Sequence, residues 1–136
     1  MSYDETLRTI SLNADASLAV YTGVPGIPGS ANPNYGFQYR FVKVSGVGQV
    51  GLSTAGADIS IGVMQNKPQV TGQAATVAIA GVTNMMSGAA VVAGAQIESD
   101  ATGRAITKAS GVARGVALAT TTGANQLVPV LLTVTG

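Results

Sequence analysis

The sequence feature that most restricts the fold is a series of short β-type runs, each closed by glycine or polar turn residues, along residues 46–136. The runs recur about every ten residues, which is typical of a small barrel or sandwich rather than of alternating strands and helices. Strands are predicted at residues 49–53, 59–65, 74–80, 88–92, 96–99, 105–108, 113–119 and 127–134. The predicted fold class is all-β, with a small barrel-like or sandwich body of short strands.

Two of these runs differ in how they are expected to be buried. In ATVAIAG, Val77 and Ile79 share one face, with small alanines between them. VPVLLTV near the C-terminus is an almost continuous apolar run, which predicts burial on both faces. Pro129 cannot donate to a strand ladder, so this last strand is expected to need a sheet edge or a bulge at that point.

Residues 1–35 differ from the rest of the chain, because turn-forming residues follow one another closely. Pro25, Pro28 and Pro33, with several glycines, exclude a central strand or a long helix there. We expect an extended N-terminal arm over residues 1–35 that orders on another surface, followed by a β-rich domain over residues 36–136. A tail without fixed structure is the alternative. Short helical turns at residues 14–20, capped by Asn13 or Asp15, and at residues 84–93, with Met85 and Met86 packed inward, are further alternatives.

Four of the six aromatic residues occur in one short stretch at a strict spacing of two. They are Tyr35, Phe37, Tyr39 and Phe41. In a strand, this spacing directs all four rings to the same face. Such a stripe predicts core or a subunit interface, with a ligand platform as the alternative.

The chain is poor in charge, with 10% charged against 46% hydrophobic residues and a net charge of +1. Free soluble monomers normally keep a more charged surface, so this balance is typical of a protein whose surface is consumed by contacts. The chain also lacks the clustered Lys and Arg of a nucleic-acid-binding protein. The N-terminus is acidic, unlike a secretory signal, and the uncharged stretch 16–39 contains too many prolines for a membrane helix. We therefore predict neither a nucleic-acid nor a membrane partner.

The residues required for common catalytic sites are largely missing. The sequence has no histidine and no cysteine, which excludes a histidine-based triad and a thiolate nucleophile. Lys43 with Ser45, and Lys108 with Ser110, would share a strand face, but no pattern of burial indicates a lowered lysine pKa. We predict that the chain is not an enzyme and has no small-molecule substrate.

Two further motifs are better explained by turns than by ligands. Gly46, Gly48 and Gly51 match the spacing of a dinucleotide-binding loop, but no helical pattern follows and no acid lies about 20 residues later. Glu98 and Asp100 supply too few oxygen ligands for a calcium loop. SDATG instead predicts a turn in which Asp100 accepts backbone amides and Gly103 adopts a positive φ. No cofactor and no metal are predicted.

From Gly62 onward, the sequence resembles the small capsid decoration proteins of tailed bacteriophages, also called cement or head-stabilisation proteins. The segments that carry the resemblance are GVMQNKPQVTGQAATVAIAGV, AAVVAGAQIESDATGRAI and GVARGVALATTTGANQLVPVLL. Within them, the matching positions are Gly62 and Val63 and residues 72–77, 93–97, 100–103, 115–117 and 128–132. The proline-rich arm and the aromatic stretch lie outside the shared pattern.

The resemblance implies a barrel-like body, assembly as a homotrimer, and binding to the major capsid protein on the outer capsid surface. Such a protein cements neighbouring capsid subunits and is assembled in the host cytoplasm. We expect the arm to contact the capsid through Tyr3, Leu7, Ile10, Leu12, Tyr21 and Ile27. The aromatic residues Tyr35, Phe37, Tyr39 and Phe41 are expected in the core or the trimer interface.

Two other functions stay open from the sequence. One is a tail-tube or baseplate component, or another self-assembling β-subunit, which would form rings or fibres. The other is a carbohydrate- or peptide-binding module that uses an exposed aromatic face.

Overall fold

A computed structural model describes residues 7–18 and 37–133. Within these ranges the chain forms strands and turns and no helix, so no helix there could span a membrane. In chain order the strands are β1 Arg8–Ala14, β2 Phe41–Gly46, β3 Gln49–Leu52, β4 Ser60–Met64, β5 Ala74–Met86, β6 Gln96–Ser99, β7 Ala105–Thr107, β8 Gly115–Ala117 and β9 Leu127–Leu132.

Five of the strands close into a barrel. The order is β1-β3-β2-β4-β5, and β5 pairs again with β1, in a register that runs from Arg8↔Ala80 to Asn13↔Ala74. Every strand of a closed barrel has two neighbours, so the barrel leaves no unpaired edge. The predicted all-β, barrel-like body is confirmed.

The long strand β5 belongs to two sheets. Residues 74–80 pair with β1 or β4 of the barrel, whereas residues 81–86 pair with β9. Gly81 lies where the partners change, and its φ of 98° is a conformation that glycine adopts readily. The second sheet continues from β9 through β8 and β6 to β7, and a bridge between Ser87 and Ala105 brings β7 back to the end of β5.

Among residues 7–18 and 37–133, the core consists of two apolar clusters on opposite sides of one wall. Phe41 packs with residues of the second sheet, whereas its neighbour Val42 packs inside the barrel. Val63 and Met64 divide in the same way, because adjacent strand residues project to opposite faces. The second sheet therefore covers the outer side of β2 and β4.

Most of the predicted strands from residue 49 onward are present, with boundaries shifted by a few residues. Residues 88–92 are an exception, since Val91 makes only an isolated bridge to Thr121. The helical alternatives are wrong over the residues that the structure describes, 14–18 and 84–93. Asp15 accepts a hydrogen bond from the Ser17 amide at 2.8 Å in a turn, and residues 84–86 belong to β5. Met85 and Met86 are buried, as expected.

The aromatic stretch is not the continuous strand that its spacing predicts. Residues 37–39 form a turn, Tyr39 has a φ of 65°, and β2 begins only at Phe41. The Tyr39 amide donates to Met64 O at 2.7 Å, and Tyr39 O accepts from the Met86 amide at 2.9 Å. These contacts to two different strands turn the backbone, so Phe37 and Tyr39 do not continue a single strand face with Phe41. Tyr35 lies outside the described residues.

The expected burial of both faces of the last strand is also wrong. Val128, Val130 and Leu132 are buried, whereas Leu127 and Leu131 are exposed. Neither the sheet edge nor the bulge expected at Pro129 is present, since β9 lies between β5 and β8 in a regular register. The Leu118 amide donates to Pro129 O at 2.8 Å, and a strand residue directs its N and O to the same neighbour. The missing N–H of Pro129 therefore faces Leu118, one residue beyond the end of β8.

Part of the predicted arm belongs to the barrel. Residues 8–14 form β1, which pairs along β5 and also in parallel with β3 at Asn13↔Gln49. These residues are extended, as expected for the arm, but they pair with strands of the same chain and not with another surface. Residues 1–6 and 19–36 lie outside the described residues, and the division at residue 35 stays a prediction.

The two motifs assigned to turns do form turns. Gly46 pairs with Gln49 across a tight connection in which Gly48 has a φ of 66°. Asp100 Oδ1 accepts the amides of Thr102 and Arg104, each at 2.8 Å, and Gly103 has a φ of 77°. The predicted roles of Asp100 and Gly103 are confirmed.

Candidate functional site

The outer face of the second sheet carries apolar side chains in register. Pairing across three strands aligns Val82, Leu131 and Val116, and paired residues project to the same side of a sheet. Because Val130 and its alternate neighbours face the core, this row faces solvent, and Leu131 is 37% exposed. We call this surface the β9 face; it comprises Val82, Val116, Leu118, Leu127, Pro129 and Leu131.

A cleft of about 480 Å³ opens between the barrel and the end of β9, at Leu132 and Thr133. Phe41 and Leu132 contribute core side chains to its lining, and Ile59 contributes an exposed one. We call it the arginine cleft, after the two cations in its lining, and its residues are Arg8, Phe41, Ile59, Ser60, Ile61, Gly62, Ile79, Ala80, Arg114, Leu132 and Thr133.

The strand register explains why the two arginines share one cleft. Arg8 of β1 is paired with Ala80 of β5. On the other side of β5, the Thr133 amide donates to Arg114 O at 3.1 Å, next to the Gly81–Leu132 pair. Arg8 and Arg114 thus reach the cleft from opposite sides of β5.

Carboxylates of the described residues do not neutralise these cations. Neither Arg8 nor Arg114 forms an ion pair within residues 7–18 and 37–133. Arg114 Nη2 makes one long hydrogen bond of 3.4 Å to Asp58 O, and its buried Nε has no partner within the same ranges. The Asp58 carboxylate binds Lys43 Nζ at 2.9 Å, and this hydrogen bond lowers the pKa of Asp58 below its ordinary value.

The acid on the neighbouring strand is also withdrawn from the surface. Glu98 is only 6% exposed, and its Oε2 accepts the Gly111 amide at 2.6 Å. A Cβ at Gly56 or Gly111 would collide with the Glu98 carboxylate, so glycine at these positions makes room for it. Lys108 is exposed beside Gln96 and Val116, where a second pocket adjoins the arginine cleft at Thr133. The combined surface is apolar and basic.

Arg40 is a third notable cation, but it is buried. Its Nη1 donates to Thr102 O at 2.9 Å, and its guanidinium lies 5.3 Å from the centre of the Phe37 ring. Burial, with a contribution from the nearby charge of Arg104, lowers the pKa of Arg40 to about 10. Arg40 therefore remains charged at neutral pH and fastens the Asp100 turn to the start of β2.

The predicted capsid-contact residues are only partly within the described chain. Ile10 is 38% exposed, whereas Leu7 and Leu12 are half-buried against the two core clusters. Tyr3, Tyr21 and Ile27 lie outside the described residues. Their contact with a capsid stays a prediction.

Among the predicted core or interface aromatics, Phe41 is fully buried in the core cluster between the barrel and the second sheet. Phe37 and Tyr39 are half-buried. Neither Arg8 nor Arg114 is among the predicted site residues. No local sequence signal indicates this surface, because the apolar run of β9 does not distinguish its exposed face from its buried face.

The alternative chemical sites acquire no supporting geometry. Lys43 Nζ is engaged by Asp58 and by Thr54 Oγ1, at 2.9 and 3.3 Å. Lys108 and Ser110 are both exposed. Within the part of the chain that the structure describes, no three acidic side chains converge on a point where a metal could bind.

Comparison with known proteins relates the described body to phage particles. A family model described as phage cement protein matches residues 38–132, which is more than half of the chain. The crystal structure of the N base of head fiber gp8.5 in bacteriophage phi29 is similar, with a TM-score of 0.61 and 14% sequence identity. That match covers 94% of this chain and 97% of the head fiber chain, and at this identity it concerns the fold. No curated protein sequence matches the chain.

Proposed function

Because the chain belongs to the phage cement protein family, we propose that it binds the outside of a phage capsid as a homotrimer and cements neighbouring major capsid subunits. The coarser assignment, a capsid-associated structural protein of the virion, follows from the family and agrees with the all-β fold. The observation that carries the proposal is the family match across residues 38–132, which includes eight of the nine strands.

The physical reason for a trimer is multivalency. A cementing protein need not perform chemistry, because it acts by adding contact area across the seams between capsid subunits. Three modest contacts in one closed oligomer bind a capsid far more tightly than one, since the second and third contacts form at high effective concentration. The low charge of the chain and the exposed side chains of the β9 face agree with a surface used for contacts.

The predicted capsid anchors of the N-terminal segment remain part of this proposal. Ile10 is the most exposed of those that the structure describes, so it is well placed for such a contact. Tyr3, Leu7, Leu12, Tyr21 and Ile27 complete the set. Assembly in the host cytoplasm and a final position on the outer capsid surface are proposed with it.

The proposal is tested by co-sedimentation of the purified protein with phage capsids that lack it, combined with light scattering of the free protein. We expect saturable binding to capsids and a solution mass of three times 13.5 kDa. A monomeric mass together with no sedimentation would contradict the proposal. Rings or fibres of the pure protein would instead support a tail-tube or baseplate subunit.

A further inference from the structure

In the described chain, the acidic side chains have hydrogen-bond or ion-pair partners, whereas several basic side chains form no ion pair. Asp58 pairs with Lys43, Asp100 pairs with Arg104, and Glu98 is buried against the Gly111 amide. In contrast, Arg8 and Arg114 of the arginine cleft, and Lys108 beside the β9 face, form no ion pair with a carboxylate of residues 7–18 and 37–133. A surface of this kind is complementary to a partner that brings its own carboxylates.

The same surface also carries exposed apolar side chains. Ile59 at the mouth of the cleft is 76% exposed, and Leu131 and Leu127 follow on the β9 face. A free phosphate or another small anion would leave these side chains in water. A polypeptide that carries both acidic and apolar side chains would cover them and also pair with the arginines.

We propose that the arginine cleft and the adjoining β9 face bind an extended, acidic and apolar segment of the major capsid protein. This inference rests on the proposed function, which supplies the capsid as partner. Arg8 and Arg114 line the same cleft from opposite sides of β5. An extended segment with a carboxylate on each side of an apolar residue would pair with both arginines and cover the apolar lining between them.

The described body of a second copy of this chain is a poorer occupant. Asp58, Asp100 and Glu98 are engaged by Lys43, by Arg104 and by the Gly111 amide, and Asp15 accepts the Ser17 amide in a turn, so the body has few carboxylates to offer to the cleft. The acids Asp4 and Glu5 of the chain itself precede β1 in the sequence. They are the competing occupant that the experiment must separate from the capsid.

The first test introduces a carboxylate into the cleft at a position where folding tolerates it. Ile59→Asp should weaken capsid binding at least ten-fold in co-sedimentation, because the new charge repels an acidic segment and an apolar contact is lost. Val47→Asp is the matched control. Val47 is fully exposed at the opposite end of the barrel, where the Asn13 amide donates to Gly48 O, and binding should change less than about two-fold.

The second test reverses the two cations. Arg8→Glu with Arg114→Glu should weaken capsid binding at least ten-fold, and the binding that remains should depend less on salt. Arg8→Lys with Arg114→Lys should stay within about three-fold of wild type, because the charges are kept. Far-UV circular dichroism shows whether each variant is folded. If Arg8→Glu with Arg114→Glu does not fold, Ile59→Asp provides the test.

The outcomes separate the inference from the function on which it rests. If wild type binds capsids and the cleft variants bind equally well, the cleft inference is wrong while the cementing function stands. If wild type binds no capsid, both fail together. If Asp4→Asn with Glu5→Asn abolishes the effect of reversing the arginines, the occupant is the chain's own N-terminal segment, which also overturns the inference.

Discussion

Replacement of Gly62 by alanine tests how closely β4 must approach β5 for the barrel to close. A Cβ at Gly62 would collide with the carbonyl oxygen of Ala78 and lie 2.8 Å from Val77 Cγ1. Carbon atoms pack best at about 3.5–4.0 Å, so β4 would have to move away by about 1 Å. The Val63↔Ala78 and Met64↔Val77 pairs join the two strands at this point.

The cost can be estimated from two sources. A displacement of this size lengthens a hydrogen bond of about 2.9 Å beyond its useful range, which loses about two backbone bonds worth about 1 kcal/mol each. Overpacking adds about 1–3 kcal/mol. The Gly62→Ala variant should therefore be about 3–5 kcal/mol less stable, which lowers the urea midpoint by about 2 M for a typical dependence on urea.

The assay is urea unfolding followed by far-UV circular dichroism, with Gly123→Ala as the control. A Cβ at Gly123 meets no atom within 4 Å, and the residue has no positive φ, so its replacement should change stability by less than about 0.5 kcal/mol. If Gly62→Ala unfolds within about 1 kcal/mol of wild type, the close contact between β4 and β5 is not required.

Two further predictions concern carboxylates. The hydrogen bond from Lys43 is the main cause that lowers the pKa of Asp58 below 3.8. The ionised Asp58 carboxylate therefore stabilises the folded protein above pH 3.8, and this stabilisation is lost as the pH falls through the lowered pKa. The stability difference between wild type and Asp58→Asn should thus shrink on acidification in urea titrations at about pH 6 and about pH 2.5; an unchanged difference would contradict this. Asp100→Ala removes bonds to two backbone amides and to Arg104 Nε, so it should destabilise by about 2–4 kcal/mol in thermal unfolding. Thr102→Ala, which loses only a hydroxyl contact, should cost less than about 1 kcal/mol, and equal losses would refute the role given to Asp100.

Local sequence signals predicted much of the body. The strands at residues 96–99 and 105–107 and the Asp100 turn follow from short-range patterns of β-forming and turn-forming residues. The prediction of a continuous aromatic strand is wrong because residue spacing does not indicate a positive φ. Tyr39 adopts a positive φ where its backbone bonds to two distant strands. The sequence predicts an arm at residues 8–14 because β5, the strand that pairs with them, lies far along the chain and local patterns do not reveal it.

The candidate surface was not predictable in the same way. Arg8 and Arg114 come from opposite ends of the chain, and only the order β1-β5-β9-β8 brings them to one cleft. The apolar run in β9 suggested two buried faces, because the sequence does not show that one face lacks a covering layer. An interaction surface leaves such side chains exposed until its partner binds.

The central claim, that this chain cements a phage capsid, is tested most directly by an electron cryomicroscopy reconstruction of capsids incubated with the protein. The account predicts three-fold density at junctions between capsomers on the outer surface, with the arginine cleft and the β9 face against the major capsid protein. Capsids without added density, or density confined to the tail, would contradict it.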